Sequence, residues 1–474
     1  MTQIACPHTP RIARAWHCAA MALSLLAATS AARADVILHA FNWPYATVEA
    51  RAAEIAEAGY RKVLVAPAYR SQGAQWWARY QPQDTRLIEH ALGDTRTFAS
   101  MLQTLAAHGV ETYADIVLNH MANESSSRQD LAYPSEAVLA EYAADPARYA
   151  GLRLYGDLST HQFGAGDFGP AQCITDYGDA EQVVLYRLCG GDGDAGLPDL
   201  VGNAHVIAEQ RRYLQALKTM GVTGFRVDAA KHMTAAHMNG VLDAELRDGV
   251  HVFGEVITTG GAGTTDYDEV LLPYLEATGH AAYDFPLFTT LRLALQPDGR
   301  LSALVDPAAA GQALRGEGTV TFAVTHDIPN NEGFRYALLD PVDETLAYAF
   351  LLGRDGGMPM LYTDHDESGD DGRWLDAWRR EDLVRMVGFH NAMQGHEMQM
   401  LSHDACHLLF RRGDAGIVGI NKCDDAVEIA VSLDDTLPRG QRYTDALDAT
   451  RTITLRGDAH TFRLPARQAR MWQR

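Results

Sequence analysis

Residues 224–232 read GFRVDAAKH, an apolar strand that carries Arg226 and Asp228 two positions apart. Side chains alternate faces along a strand, so these two share one face while Phe225 and Val227 pack on the other. Desolvating such a pair costs several kcal/mol, so its presence asks for a use. An arginine favours the charged form of a neighbouring aspartate, which suits Asp228 to act as a nucleophile. Glu255, in HVFGEVIT (251–258), follows Phe-Gly and precedes Val-Ile. An apolar setting beside other carboxylates raises a carboxyl pKa and suits a general acid. His326-Asp327 ends a third apolar run, FAVTHD, and Asn119-His120 ends a fourth that also carries Asp115. Carboxyls with pKa values pushed apart are the equipment of glycoside hydrolysis. Each element alone has an ordinary explanation as an ion pair, a strand exit or a turn cap. Their joint occurrence, in order, on successive strands is what points to a site.

The elements that must position these residues follow a rhythm. Short β-branched runs at 36–43, 62–68, 111–120, 224–232, 251–258, 319–327 and 357–363 are separated by helical patterns such as TFASMLQTLAAHG and AEQRRYLQALKTMG. About eight strand–helix units of roughly 30 residues predict a parallel sheet closed into a (β/α)8 TIM barrel, whose functional groups gather at the C-terminal strand ends. One gap breaks the rhythm. Residues 121–202 are too many for one crossover, which predicts a small domain inserted after strand three rather than a structureless loop. After about residue 389 the pattern turns to short alternating runs such as AVEIAVSL and RTITLR, which predict a C-terminal antiparallel β-sandwich. The expected organisation is a leader over 1–34, barrel over 35–120 and 203–388, an insert over 121–202, and a β domain over 389–474.

Composition bounds the partners. The 474 residues are 47% hydrophobic and 21% charged, with a net charge of −21. That charge argues against nucleic acid and anionic membranes and is neutral towards a sugar. Arg11 and Arg14 precede the run AAMALSLLAATSAA and then Ala32-Arg33-Ala34. This is the form of a signal peptide cleaved near Ala34, and it predicts a secreted protein, extracellular or periplasmic. Cys6 and Cys18 leave with the leader; Cys173, Cys189, Cys406 and Cys423 remain for an oxidising compartment. Four cysteines allow three pairings. A hairpin centred on Gly413–Gly416 would set Cys406 directly opposite Cys423, leaving Cys173 for Cys189. Each bridge closes a loop of about 15 residues, worth about 3 kcal/mol in the chain-entropy account.

The strand-end motifs DIVLNH (115–120), GFRVDAAKH (224–232), FGEV (253–256) and FAVTHD (322–327), with LPDL (197–200) in the insert, resemble those of the α-amylase family of retaining glycoside hydrolases. Order and spacing agree over nearly the whole mature chain. The resemblance implies Asp228 as nucleophile, Glu255 as acid/base and Asp327 as a third carboxylate on sugar hydroxyls. His120 and His326 would bond the same sugar, Arg226 would orient Asp228, and Lys231 and His232 would face the leaving group. Tyr80, in WWARYQP, matches the tyrosine that stacks under the reacting glucose; Trp76 and Trp77 are further candidates for contact or for packing. The family commonly holds structural Ca²⁺, for which Asn119, Asp199 and the backbone carbonyl of His232 match; the alternative is a plain hydrogen-bonded bridge between barrel and insert. Thr325 stands where chloride-activated members carry asparagine, which speaks against a chloride site. The implied activity is endo-hydrolysis of α-1,4-glucosidic bonds in starch or maltooligosaccharides by a monomer. A maltooligosaccharide-forming or transglycosylating relative is the alternative within enzymes. A non-catalytic glucan-binding protein is the alternative outside them, and the presence of all three carboxylates opposes it.

Overall fold

The computed structural model describes residues 36–474 apart from residues 192, 366–371 and 435. The expected leader, with Cys6, Cys18 and the cleavage site at Ala34, lies outside the described residues. Eight parallel strands form the central sheet: β1 (Ile37–Phe41), β2 (Lys62–Val65), β3 (Glu111–Val117), β4 (Val222–Asp228), β5 (His251–Gly254), β6 (Ala281–Ala282), β7 (Val320–Phe322) and β8 (Met358–Asp364). Their order is β6-β5-β4-β3-β2-β1-β8-β7. A parallel bridge between Tyr283 and Val320, with Asp284 N–H donating to the Val320 carbonyl at 2.8 Å, joins the two ends and closes the barrel. β6 has no counterpart among the strands expected from sequence. Two alanines carry no β-branched signature, and the strand exists because Phe253 and Gly254 pair with it.

The strands are buried on both faces, as a parallel sheet covered by helices must be, and β1, β2 and β8 are buried along their full length. Helix Thr95–Ala107 shows how sequence builds the outer layer. Asp94 and Thr97 form a capping box at its start, and Phe98, Met101, Leu102 and Leu105 recur at helical spacing to bury one face. Helix Ala204–Met220 is capped by Asn203 and ends at Gly221, whose φ of +116° an L side chain rarely adopts.

Between β3 and that helix, the segment 121–202 carries helices Glu136–Ala144, Pro146–Leu152 and Ala180–Leu185. It has small apolar clusters of its own, one around Tyr133, Phe163 and Leu200, another around Val138, Tyr142 and Tyr149. The last barrel helix, Glu381–Ala392, runs across the boundary expected at residue 389, because Phe389 and His390 are buried on its inner face.

The C-terminal strands are β9 (Met398–His403), β10 (His407–Arg412), β11 (Gly416–Asn421), β12 (Val427–Ser432), β13 (Arg442–Asp445), β14 (Asp448–Thr454), β15 (Ala459–Leu464) and β16 (Gln468–Gln473). Six form an antiparallel sheet, β9-β10-β11-β16-β13-β14, faced by the β12-β15 ribbon. Alternation decides the packing: Leu408 and Phe410 join the barrel core, while Leu409 between them joins Ile429 and Phe462 of the ribbon and Trp472 of its own sheet. Both disulfides are formed, Cys173–Cys189 and Cys406–Cys423. The second departs from the expected register. His407 pairs with Asn421, so Cys423 sits one residue beyond direct opposition to Cys406. The turn uses three residues, Gly413 to Ala415, and Gly416 already belongs to the strand. No helix among the described residues is long and apolar enough to cross a membrane.

Candidate active site

The barrel register sets the site. Asp115 on β3 lies opposite Arg226 on β4, and Val117 opposite Asp228. Arg226 is fully buried and spends its guanidinium on three carboxylates. Nη1 donates to Asp115 Oδ1 at 2.9 Å and Oδ2 at 3.0 Å, and to Asp228 Oδ1 at 2.7 Å. Nη2 donates to Glu255 Oε1 at 2.5 Å. This answers why an ion pair is buried here: one cation gathers acids from three strands.

The backbone is shaped for the same purpose. Directly after Asp228 the chain turns through Ala229 at φ +50°, ψ 29°, a left-handed conformation unfavourable for a residue with a Cβ. The turn lets the Ala229 N–H donate to Glu255 Oε2 at 3.2 Å. Glu255 itself follows Gly254, where a Cβ would stand 2.4 Å from the Tyr274 hydroxyl. The glycine of FGEV is therefore a packing requirement of the strand that presents Glu255.

Too little positive charge serves too many acids. Burial works against the Arg226 cation, but Asp115, Glu255 and Asp228 outweigh it and push its pKa well above the usual value. Burial pushes Glu255 up to about 8; Arg226 pulls against it, and the charges of Asp228 and Asp327 push further. Burial raises Asp115 as well, against the pull of Arg226, and Asp327 behaves likewise, with Glu255 bonded to it. A carboxyl shifted in this direction keeps its proton to higher pH than a free glutamate, a property that a general acid needs.

Around this cluster is a cavity of about 550 Å³ at the C-terminal mouth of the barrel. It brings together Tyr80, His120, Asp228, Lys231, His232, Glu255, His326 and Asp327, all expected from sequence, and Trp76 and Trp77. Arg226 lies beneath, tied to the carboxylates. Tyr80 lies parallel to His326 at 5.1 Å between ring centroids, and its hydroxyl donates to Asp115 Oδ2 at 3.0 Å. His120 Nε2 meets the Tyr80 carbonyl at 2.9 Å. Lys231 Nζ donates to the Ile257 carbonyl, and His232 Nδ1 to the Val183 carbonyl of the insert, at 2.9 and 2.7 Å. Trp76 packs edge-on against both Tyr80 and His326, whereas Trp77 is 48% exposed at the rim.

Sequence reasoning missed Gln81, Tyr177, Leu188, Leu197, Ile257, Asn331 and Phe334, which also line the cavity. They come from loops and, for Phe334, a short 3-10 turn, where no periodic pattern marks them. Position in or beside a motif already singled out is the one available signal: it would have found Ile257 after FGEV, Leu197 in LPDL and Gln81 in WWARYQP.

Comparison with known proteins decides the family. A sequence profile described as "Alpha amylase, catalytic domain" matches residues 51–269. An alpha-amylase of Aeromonas hydrophila is 52% identical over 443 residues, covering 92% of this chain and 95% of that one. The chain belongs to the alpha-amylase family. Two solved structures extend the likeness in fold. One is a mutant of alpha-amylase I from Eisenia fetida in complex with maltohexaose, with a TM-score of 0.72 at 22% identity, covering 93% of this chain and 97% of that one. The other is a gamma-CGTase from alkalophilic Bacillus clarkii, with a TM-score of 0.69 at 17% identity, covering 94% and 70%. Two disulfides accord with an oxidising compartment for this alpha-amylase family member.

Two of the residues matched to the family's calcium site, Asn119 and Asp199, meet at the junction of barrel and insert. Asn119 Nδ2 donates to Asp199 Oδ1 at 2.9 Å, and Leu200 N–H donates to the Asn119 carbonyl at 2.7 Å. Both side chains are buried. Burial pushes Asp199 up to about 7, with Arg187 and the Asn119 amide only partly offsetting it. A buried carboxylate in this setting favours a neighbouring positive charge. No group of three or more His, Cys, Asp or Glu able to hold a metal occurs among the described residues. An ion here would take the Asp199 carboxylate together with amide and backbone oxygens, ligands that calcium accepts.

Proposed function

We propose that the chain hydrolyses internal α-1,4-glucosidic bonds of starch and related glucans with retention of configuration. The observation that carries this reading is the grip of one guanidinium, through separate nitrogens, on Asp228 and Glu255 at 2.7 and 2.5 Å. Such a grip keeps the two carboxyls close, the arrangement of a nucleophile with an acid/base rather than of an inverting pair. Asp228 attacks the anomeric carbon as the bond to the leaving oxygen breaks, and that oxygen takes the proton of Glu255. Glu255 then accepts a proton from water, whose oxygen attacks the same carbon and frees Asp228. Asp327, His120 and His326 bind hydroxyls of the sugar on Tyr80, while Lys231 and His232 face the departing chain. Arg226 orients both working carboxyls.

Soluble starch tests the reading directly. The expected result is a rapid rise in reducing ends with a spread of oligosaccharide lengths. No release, or one product length from the outset, would contradict it. The likeness in fold to a gamma-CGTase favours one second reading, transfer of the glycosyl group to a sugar hydroxyl instead of water. Cyclic or lengthened products would mark that outcome.

Calcium fits the donors at Asn119 and Asp199, with the His232 carbonyl as a further ligand. Bound there, it would supply charge compensation between barrel and insert. A native-state ligand at a hundredfold excess over Kd adds about 2.7 kcal/mol. Chelation should lower the melting temperature, and Asn119→Ala or Asp199→Ala should blunt that response. An unchanged melt with no retained ion would remove calcium from the account. Export through the signal peptide of residues 1–34 completes the proposal, and N-terminal sequencing of the mature protein, expected to begin at Asp35, tests it.

A further inference from the structure

Arg79 takes no part in the chemistry described above, yet it lies within WWARYQP, the segment that supplies one wall of the cavity. Trp76, Trp77, Tyr80 and Gln81 of this segment line the cavity. The Arg79 side chain is buried, and its guanidinium turns back along the chain. Nη1 donates to the Gly73 and Gln75 carbonyls at 3.0 and 2.7 Å, and Nη2 to the Ala74 carbonyl at 3.1 Å. One planar fork thus holds three consecutive carbonyls. The residues that own these carbonyls are exposed, where water can serve a backbone oxygen. Burying a cation to do the same work costs desolvation, so the arrangement asks for a use beyond satisfying the carbonyls.

The members of the wall differ in how they are held. Tyr80 has anchors of its own: its hydroxyl donates to Asp115 Oδ2 at 3.0 Å, and the Tyr69 hydroxyl donates to the Arg79 carbonyl just before it at 2.5 Å. Trp76 is held among the rings of Phe41, Tyr80 and His326. Trp77 stands 48% exposed at the rim, and its ring goes where the backbone of the preceding loop places it. That loop closes tightly on the 3-10 turn Trp76–Tyr80. Gly73 has a φ of +124°, and a Cβ there would stand 2.8 Å from the Ala78 Cβ.

We infer that Arg79 is a positioning residue that fixes the loop of residues 73–75 and, through it, the Trp77 rim that meets sugar units beyond the reacting one. This role rests on the cavity's being a glucan site. It makes the loss on breaking the fork depend on substrate length. Sugars beyond the reacting unit need the rim, whereas the reacting unit sits on Tyr80, whose anchors are separate.

The test compares Arg79→Met, which keeps the stem and removes the fork, with Arg79→Lys, which keeps a cation able to reach fewer carbonyls. On maltoheptaose, Arg79→Met should lower kcat/KM roughly tenfold through a raised KM, with kcat within about twofold of the wild type. Arg79→Lys should lose less. On an α-glucosyl fluoride, which fills the place of the reacting unit alone, both variants should match the wild type. Gly73→Ala keeps Arg79 and displaces the loop from its other side; it should reproduce the length-dependent loss, and it carries the test should Arg79→Met fail to fold. Equal losses on the two substrates, no loss on either, or Lys no better than Met would overturn the inference. The loop itself is read without turnover: proteinase K should nick Arg79→Met within residues 72–75 faster than the wild type, and equal nicking would also overturn it. Inactivity of the wild type on both substrates would instead count against the functional reading, and the proteolysis result stands apart from it.

Discussion

Two buried arginines in this molecule keep opposite company. Arg86 is 2% exposed and serves one carboxylate, Asp84, which is fully buried. Nε and Nη2 reach the two Asp84 oxygens at 2.9 Å each, and the Tyr142 hydroxyl donates to the same group at 3.1 Å. Arg226, equally buried, is shared among Asp115, Asp228 and Glu255. A matched pair closes on itself and fastens barrel to insert. A cation divided among three acids leaves negative charge over, which the site relieves by keeping protons. Function here lies in the mismatch of charge, and burial alone does not distinguish the two clusters.

Breaking each cluster should therefore give different losses. Asp228→Asn removes the proposed nucleophile, and kcat on starch should fall by at least about 10⁴-fold with the melting temperature little changed. Asp84→Asn should do the reverse. Leaving Arg86 buried without its anion should cost about 3–5 kcal/mol in stability, read by denaturant unfolding, while kcat of the folded fraction stays at the wild-type value. A large loss of activity in Asp84→Asn would erase the distinction between the two arginines.

Asp115→Asn sharpens it. The charge Glu255 acquires on losing its proton raises the pKa of Asp115, and such repulsion is mutual. The other charged groups facing Glu255 are Arg226, Asp228 and Asp327. Removing one anion makes ionisation of Glu255 easier, so its pKa of about 8 should fall. The alkaline limb of kcat/KM, which reports loss of the acid's proton, should move to lower pH by on the order of one unit. An alkaline limb that stays in place or moves upward would show that Asp115 does not contribute to the charge surplus. The smallest effect concerns chloride. Thr325 lacks the amide that the resemblance associates with an anion site, and activity at matched ionic strength should be the same with and without chloride. Severalfold activation specific to chloride would mean another residue completes such a site.

The mismatch was partly legible in the sequence. Arg226, Asp228, Glu255 and Asp327 stood out because charge inside an apolar run is rare and the strand period fixes which residues share a face. Asp115 was visible at a strand position, but that it pairs with Arg226 depends on register between β3 and β4, which no single strand encodes. β6 escaped because two alanines give no pattern, and its existence is a property of its neighbours. Tyr177 and Leu188 escaped because loops bring them to the cavity, and Phe334 because a single 3-10 turn has no readable period. The Cys406–Cys423 pairing was legible from spacing, whereas its register turned on whether Gly416 belongs to the turn or to the strand.

The central claim is that Asp228 becomes covalently bound to the sugar while Glu255 handles the proton. Mass spectrometry of Glu255→Gln after exposure to an α-glucosyl fluoride, whose fluoride leaves with little help from an acid, tests it most directly. The account predicts a glycosyl adduct on the peptide containing Asp228. An adduct on another carboxylate, or fluoride release by way of an unmodified protein and a β-anomeric product, would contradict it.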